Sequence, residues 1–530
     1  MSKKVTLLIV LVLLVSFILP LTVSAQEEGA LRIALSADPE HLDPFRSATT
    51  NTRSVIIQTY EALTGLDAAT AALVPQLAES WDISDDGLVY TFHLVPGVMF
   101  QTVDGITYEN QEATAEDWAW SMKMFLNGDE AISTHAGYLE AIAGAPEFTA
   151  GEADDVAGIK VVDDYTLELT LSAPNHRFLF DLINVYVVSQ EAYEQLGEDF
   201  SNNPVGTGPY IFQEWMRDDH MTLTANPDYW QEGLPKTETL TILNVPDANS
   251  QVLMYREGAL DILGNFPTGQ RKLLQEELAD QYMELPSMNV RYFGFDMAQG
   301  FFAENPLVRQ AFGHAFNRAL VWSELMEGAR FPADMGVLVP SMPAADVSIS
   351  YEYNMEKAAA LLAEAGFPGG EGIPDLEVYV WASAADELSL PVLQADLATL
   401  GVNLAIVVED NSTYWGHVGE DDVIFFLSGW SADFPDPSEV FNFLFLEGGD
   451  DTHYDNPEVN ELIRSATSIT DPAEREAVYL AAHEIIMQDA PWIVSAYGKV
   501  AYMQQPWVDG LAVSPAGVYR VLWMSVGIAE

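Results

Sequence analysis

Residues 388–427 read LSLPVLQADLATLGVNLAIVVEDNSTYWGHVGEDDVIFFL. Apolar residues recur through 388–400 and Gly401 stops them, the pattern of a helix and its terminator. Residues 402–408 then read as one strand and 422–427 as another, both dominated by Val, Ile, Leu and Phe. Strands separated by helices are the unit of a layered α/β fold, and they predict largely parallel sheets. Ligands in such folds sit beyond the carboxyl ends of strands. Function is therefore expected in the loops after Leu35, Val380, Val408 and Leu427.

The same alternation extends in both directions. Residues 31–35 read as a first strand, ended by Ala37-Asp38-Pro39, and residues 88–95 as another after the turn Ser84-Asp85-Asp86-Gly87. Thr114 and Asp117 have the spacing of a capping box, and Trp118, Met122, Phe125 and Leu126 follow on one helical face. Residues 156–171 read as two strands about Asp163-Asp164. Asn305-Pro306 opens a helix whose stripe is Val308, Ala311, Phe312, Ala315, Phe316 and Ala319. Asn354 opens the next, which Gly366 stops; Asn456-Pro457 and Asp471-Pro472 open the last two, with Glu474 completing a capping box in the second.

The chain begins with Lys3 and Lys4, an apolar run over 5–23 interrupted by Pro20, small residues at Val23-Ser24-Ala25, and the acidic turn Gln26-Glu27-Glu28. That order is a secretory signal peptide (1–25), cleaved after Ala25; an uncleaved anchor is the alternative. The protein is thus exported, periplasmic or extracellular. There is no cysteine, so no disulfide staple, thiolate metal site, cysteine nucleophile or lipid-carrying residue exists. The 22 basic and 80 acidic side chains give a formal net charge of −58, and losing Lys3 and Lys4 with no acid makes it −60. Such a chain is unsuited to nucleic acid or to anionic membrane surfaces. The acidity fits an amine-bearing ligand, a salty exterior, or a solvated shell with no bearing on ligand.

Enzyme signatures are missing. Nine histidines occur, none paired at the spacing of a helical zinc site, and His483-Glu484 lacks a second His. No Gly-x-Ser-x-Gly elbow or phosphate-binding Gly-Lys-Ser/Thr loop is present. The glycine-rich 366–372 follows a helix, the wrong order for a phosphate cradle. Glu420-Asp421-Asp422 and Asp450-Asp451 lack the alternating oxygens of a calcium loop. No cofactor or metal is expected. A secreted hydrolase built from carboxylates distant in sequence stays as the alternative of another class.

Seven blocks, in order, carry a resemblance. LVPQLAESWDISDDGLVYTFHLVPGVMF (73–100), ATAEDWAWSM (113–122), NPVGTGPYIF (203–212), NPDYW (226–230), VRQAFGHAFNRAL (308–320), GWSADFPDP (429–437) and YDNPEVNELI (454–463) closely resemble the dipeptide- and oligopeptide-binding family of extracellular solute receptors for ABC importers. The resemblance implies a periplasmic-binding-protein-like type II fold: two hinged lobes with an extra inserted domain. Domain I would hold 30–73, 203–288 and 497–530, domain II 74–202, and domain III 289–496. Chain crossings near Asn289 and Ala496 would form the hinge, and the lobes would close on ligand. The partners implied are a peptide or other small solute and the permease subunits of the importer, with the receptor itself a monomer.

In peptide-binding relatives the Asp of the GWSADFPDP block holds the free α-amino group, which places that role on Asp433. Asp433, Pro435, Asp436 and Pro437 equally suit a plain turn. Gly429 and Trp430 precede it, and Trp430 serves either a pocket wall or a core. Trp381, Asn411, Tyr414 and Trp415 follow neighbouring strands, and His135 and Tyr138 fall where domain II of relatives reaches toward ligand. One departure stands out. Some relatives carry an Arg three residues before the Trp to meet a peptide carboxylate; here it is Leu427, and Lys357 is the only Lys or Arg between Phe331 and Ile463. Arg291 and Arg217 are the cations left to consider. A peptide held by its amino end, an oligosaccharide on Trp381, Trp415 and Trp430, and a cationic amine or metal complex remain open as ligands.

Overall fold

The computed structural model describes residues 29–46, 49–175, 177–267, 269–333, 336–384, 388–418, 423–449, 451–469, 471–517 and 521–528. The signal-peptide reading of 1–25 lies outside the described residues. Among the described residues, no helix is long and apolar enough to cross a membrane.

Three sheets organise the chain. The first runs in the order Ala30–Leu35, Thr239–Asn244, His220–Ala225, Tyr210–Met216. The chain leaves this sheet after Leu35 and re-enters it at Tyr210. Between those points it builds a second sheet, in the order Ala78–Ile83, Val89–Leu94, Thr166–Thr170, Ile159–Asp163. The third sheet is the largest, in the order Ile262–Leu263, Trp492–Gln504, Tyr282–Phe295, Phe425–Ser431, Leu376–Trp381, Leu404–Glu409, with Phe331–Pro332 paired to the side of Trp492–Gln504.

The expectation of largely parallel sheets is corrected. Only Ala30–Leu35 with Thr239–Asn244, and Leu376–Trp381 with both Leu404–Glu409 and Phe425–Ser431, run parallel among the described strands. The reason is partly local. Short turns join 78–83 to 89–94, 159–163 to 166–170 and 210–216 to 220–225, and a hairpin forces antiparallel pairing; in the third sheet Tyr282–Phe295 runs antiparallel to Phe425–Ser431 and Trp492–Gln504, strands far away in sequence. Gly87, at a φ of 70°, closes one such turn where Ser84 Oγ donates to Asp86 and Gly87 N–H to the Ser84 carbonyl. Leu376–Trp381 and Leu404–Glu409 pair in parallel because the helix Ser389–Thr399 returns the chain between them.

Helix starts follow their caps. Thr114 N–H donates to Asp117 Oδ2 at 2.9 Å in a reciprocal capping box, and Trp118, Met122, Phe125 and Leu126 are all fully buried behind it. Asp471 caps Pro472–Asp489 by accepting from Glu474 N–H. The helix Pro306–Ala315 ends earlier than its apolar stripe. Phe316 turns extended, Ala319 is exposed, and the buried Arg318 guanidinium folds back to the carbonyls of Gly313, Phe316, Tyr351 and Val494. The guanidinium thereby gives a donor to carbonyls at a helix end, in a loop and on the strand Trp492–Gln504.

One core joins the first two sheets to the chain end, holding Leu31, Tyr60, Phe92, Trp118, Leu223 and Trp523. The NPDYW block serves this core. Glu61, 1% exposed, accepts from the Tyr229 hydroxyl at 2.8 Å and the Trp230 indole N–H at 3.0 Å. Burial pushes its carboxyl up to about 7, only partly offset by those donors and Thr207. Two further cores cover the faces of the third sheet: Tyr292, Phe426, Phe441 and Trp492 on one side, Phe293, Phe312, Phe425 and Leu427 on the other.

The two long strands Tyr282–Phe295 and Trp492–Gln504 tie these bodies together. Their ladder breaks between Pro286 and Val290. Gly498 lies at the break, and any Cβ there would run into Ser287 Oγ and come within 2.8 Å of Asn289 Cβ. Glycine is required by that close approach.

Candidate ligand-binding cleft

The strand Phe425–Ser431 alternates out of its core as it ends: Phe425 to Ser428 are buried, Gly429 and Trp430 half-buried, Ser431 exposed. Ala432 N–H donates to the Met288 carbonyl and Asp433 N–H to Glu439 Oε2 at 3.0 Å. Asp436 accepts from Ser438 N–H at 2.9 Å, and the helix Ser438–Leu444 follows. The turn reading of this block holds for Asp436. Asp433 instead projects a side chain that is 41% exposed, 3.7 Å from the Arg53 guanidinium, whose own side chain is 12% exposed.

Arg53 stands on the helix Thr50–Ile56, and its Nη2 also donates to the Tyr138 hydroxyl at 3.4 Å. Tyr138 and His135, with ring centroids 5.4 Å apart, line a cavity of about 680 Å³ together with Glu140, Arg177, Asp181 and Phe443. The structure thus brings three distant segments to one place: Arg53, the 135–181 region, and the 429–443 loop.

A charge cluster closes one side of this cavity. Arg177 pairs with Asp181 at 2.9 Å and with Glu439 at 2.8 Å, and its guanidinium lies 4.9 Å from the Phe443 ring. Phe180 stacks on Phe434 with centroids 4.2 Å apart. Burial works against the charge on Arg177, but Asp181 and Glu439 overcome it and raise its pKa. Burial likewise pushes Asp181 up to about 6 and Glu439 up to about 7, against the pull of Arg177.

At the other end of the loop, Trp430 packs on Phe443 at 5.6 Å, and its buried indole Nε1 has no hydrogen-bond partner among the described residues. Gly429 lies opposite Arg291 in the ladder; a Cβ there would stand 3.0 Å from the Val290 carbonyl and 3.4 Å from the guanidinium. That guanidinium sits 4.3 Å over the Trp381 ring, and Trp381 contacts Trp415 at 5.4 Å. Trp415 is 51% exposed, so Trp381, Trp415 and Arg291 form an open aromatic shelf.

Not every candidate side chain reaches this space. Tyr414 is fully buried and its hydroxyl donates to the Leu427 carbonyl, so it supports the shelf from behind. Asn411 opens the helix Asn411–His417, and its side chain lies outside the described residues. Leu427 is fully buried in the core, so an arginine at this position would point away from solvent. Arg217 holds the Pro39 and Asn202 oxygens and rests 3.3 Å over Trp215, away from these groups. Arg53, Arg177, Glu439 and Phe443 were not singled out in the sequence. For the two arginines the one legible signal is scarcity, 22 basic residues in 530; Glu439 and Phe443 carry none.

Residues 72–452 match the model of bacterial extracellular solute-binding proteins, family 5. The chain belongs to that family. It is 29% identical over 499 residues to the glutathione-binding protein GsiB of Shigella boydii serotype 4, covering 91% of this chain and 92% of that one. Among solved structures, HbpA2 from Haemophilus parasuis aligns with a TM-score of 0.84 at 26% identity, over 94% of this chain and 100% of that one. The periplasmic binding protein DppA from Helicobacter pylori, in complex with the peptide STSA, aligns with a TM-score of 0.71 at 26% identity, over 95% and 98%. The mixed α/β architecture of this family 5 protein is therefore the periplasmic-binding-protein-like type II fold.

Proposed function

We propose that this family 5 protein is the extracytoplasmic receptor of an ABC importer, capturing a short peptide in the cleft and presenting it to the permease. The observation that carries the reading is the half-exposed Asp433 carboxylate beside a cavity of about 680 Å³. An ammonium taken into such a place costs several kcal/mol unless a carboxylate meets it. Asp433 is the group for that task, His135, Tyr138 and Phe443 wall the ligand, and Trp430 offers its indole N–H. The relatives named for glutathione and crystallised with a tetrapeptide support a peptide over other solutes.

Capture by closure needs a pivot. The ladder break at Pro286–Val290 with Gly498 supports placing it there, between domain I (30–73, 203–288, 497–530) and domain III (289–496), with 74–202 as domain II. The far carboxylate of a peptide, unserved at Leu427, falls to Arg291. The protein is exported with its leader removed after Ala25, and works as a monomer without cofactor. It returns its ligand unchanged rather than hydrolysing it.

The shelf of Trp381 and Trp415 favours a second reading, stacking of a sugar face. Calorimetry with a mixed tripeptide pool and a sugar panel separates the two. Peptide heats lost in Asp433→Ala support capture by the amine; sugar binding that survives Asp433→Ala with no peptide response sinks the peptide reading.

A further inference from the structure

We infer that Glu439 is a positioning residue for Asp433: one of its oxygens holds the loop that takes the ligand amine, and the other holds Arg177 of the facing body, so that amine capture and the seating of the two bodies are one event. This rests on the peptide reading above, in which Asp433 meets the ammonium.

Two separate contacts converge on the loop. Asp433 lies in neither helix nor strand. Its N–H donates to Glu439 Oε2 at 3.0 Å, and Glu439, only 3% exposed, stands on the helix Ser438–Leu444. Glu439 Oε1 lies 2.8 Å from Arg177 Nη1. The next loop residue, Phe434, stacks on Phe180 at 4.2 Å with the rings 9° from parallel, and its ring lies 5.4 Å from the Arg177 guanidinium. Arg177 and Phe180 are anchored elsewhere. Between them Phe178 is fully buried against Tyr90 of the second sheet, with ring centroids 5.3 Å apart. The helix of Glu439 is tied the other way, by Phe441 in a core of the third sheet. An ion pair and a ring stack from one body thus meet the other at 433–434, beside the carboxylate that holds the ligand.

A neutral acceptor would serve a loop N–H at less cost, since a buried carboxylate is expensive. What the charge adds is a response to ligand. The groups facing Glu439 are Arg177 and Asp181 from the facing body and Asp433 from its own loop. Glu140 stands beyond Asp181, Arg53 beyond Asp433, and Asp436, paired with Arg475, at the start of its own helix. Burial pushes Glu439 up to about 7 in spite of Arg177, and Asp433 and Asp181 add to the rise. An ammonium at Asp433 cancels one of the negative charges that keep Glu439 protonated. Glu439 then releases its proton, and the ionised carboxylate pulls harder on Arg177. The complex holds fewer protons than the empty receptor, so affinity rises with pH until the ligand amine itself begins to lose its charge, at about 7.7–8.0. By reciprocity, seating the two bodies tightens the grip on the amine.

The test is calorimetric, on the mature protein with a mixed tripeptide pool at about pH 6.5, in phosphate and in imidazole buffers, whose different ionisation heats report protons released. Wild type releases protons on binding. Glu439→Gln keeps an acceptor for the Asp433 N–H, yet binds the pool roughly tenfold more weakly, the worth of one charged hydrogen bond, and releases fewer protons. Arg177→Gln weakens binding similarly, and the double variant is no weaker than either single one, because both act through one bridge. Equal heats in the two buffers for wild type, a measurement that needs no variant to fold, overturn the assignment. So do full affinity in Glu439→Gln and losses that add in the double variant. In each of those cases, peptide binding lost in Asp433→Ala leaves the amine reading standing. A wild type that binds nothing in the pool, or pool binding that survives Asp433→Ala, overturns both.

Discussion

The two ends of the cleft are made of opposite materials. Around Asp433 the walls are charged and come from three segments far apart in sequence, with Arg53, Arg177, Asp181 and Glu439 all mostly enclosed. Around Trp381 the wall is aromatic and open, drawn from two strands of one sheet and the helix Asn411–His417, with Arg291 laid on the indole. An enclosed charged end gains specificity because any mismatched charge is expensive there. An open aromatic end gains contact area and tolerates variety in what it touches. The contrast suits a receptor that reads one end of its ligand strictly and the other loosely.

Breaking the charged end has the largest effect expected. Arg177→Ala leaves Asp181 and Glu439 without their cation and costs about 3 kcal/mol of stability, read as a lower midpoint in urea unfolding; an unchanged midpoint means the cluster is only a solvated surface pair. Asp433→Asn follows, weakening peptide binding by about 2 kcal/mol or more with little change in melting temperature, because its side chain is 41% exposed. At the open end, Trp415→Ala lowers affinity by about 1 kcal/mol and leaves stability nearly unchanged. A loss at Trp415 that exceeds the loss at Asp433 inverts the comparison.

A pH slope in stability reads the enclosed carboxylates separately from ligand binding. Glu61 and Glu439 are raised to about 7 and Asp181 to about 6, so the folded state holds protons that the unfolded chain releases. Stability from such groups is full below the ordinary carboxylate range and is lost as pH rises through about 7. The melting temperature therefore falls from pH 5.5 to 8, and Glu61→Gln flattens part of that fall while keeping an acceptor for Tyr229. A wild-type curve that rises over this range refutes the assignment.

What was legible in the sequence is what is decided locally. Thr114 and Asp117 cap their helix as spaced, Gly366 and Gly401 follow helix ends, and the 84–87 turn closes its hairpin, because each depends on residues within a few positions. The seven blocks located the fold and the Asp433 loop. Strand direction is not legible where hairpins join neighbours, nor where Tyr282–Phe295 meets partners more than a hundred residues away. The helix from Pro306 stopped at Ala315 because Arg318, a charged side chain with no apolar signature, needed carbonyls from four places. The cations near Asp433 were invisible for a similar reason: neither Arg53 nor Arg177 belongs to a pattern, and only the packing of separate segments brings them to the cleft. Tyr414 and Trp415 are adjacent in sequence yet face a core and solvent respectively, a distinction helical rotation makes and composition does not.

Asn289 gives the proposed pivot a second meaning. It packs against Gly498, and its side-chain amide donates to the Trp430 carbonyl at 3.0 Å and to Ser431 Oγ at 2.8 Å. One residue therefore bears on the axle and grips the arm that carries Asp433. If the pivot proposed above is the one used, lobe angle and ligand grip are geared together: a dye at the Asn289 crossing is then expected to read occupancy at the far side of the loop, and Gly498→Ala to shift the resting angle even in an empty receptor.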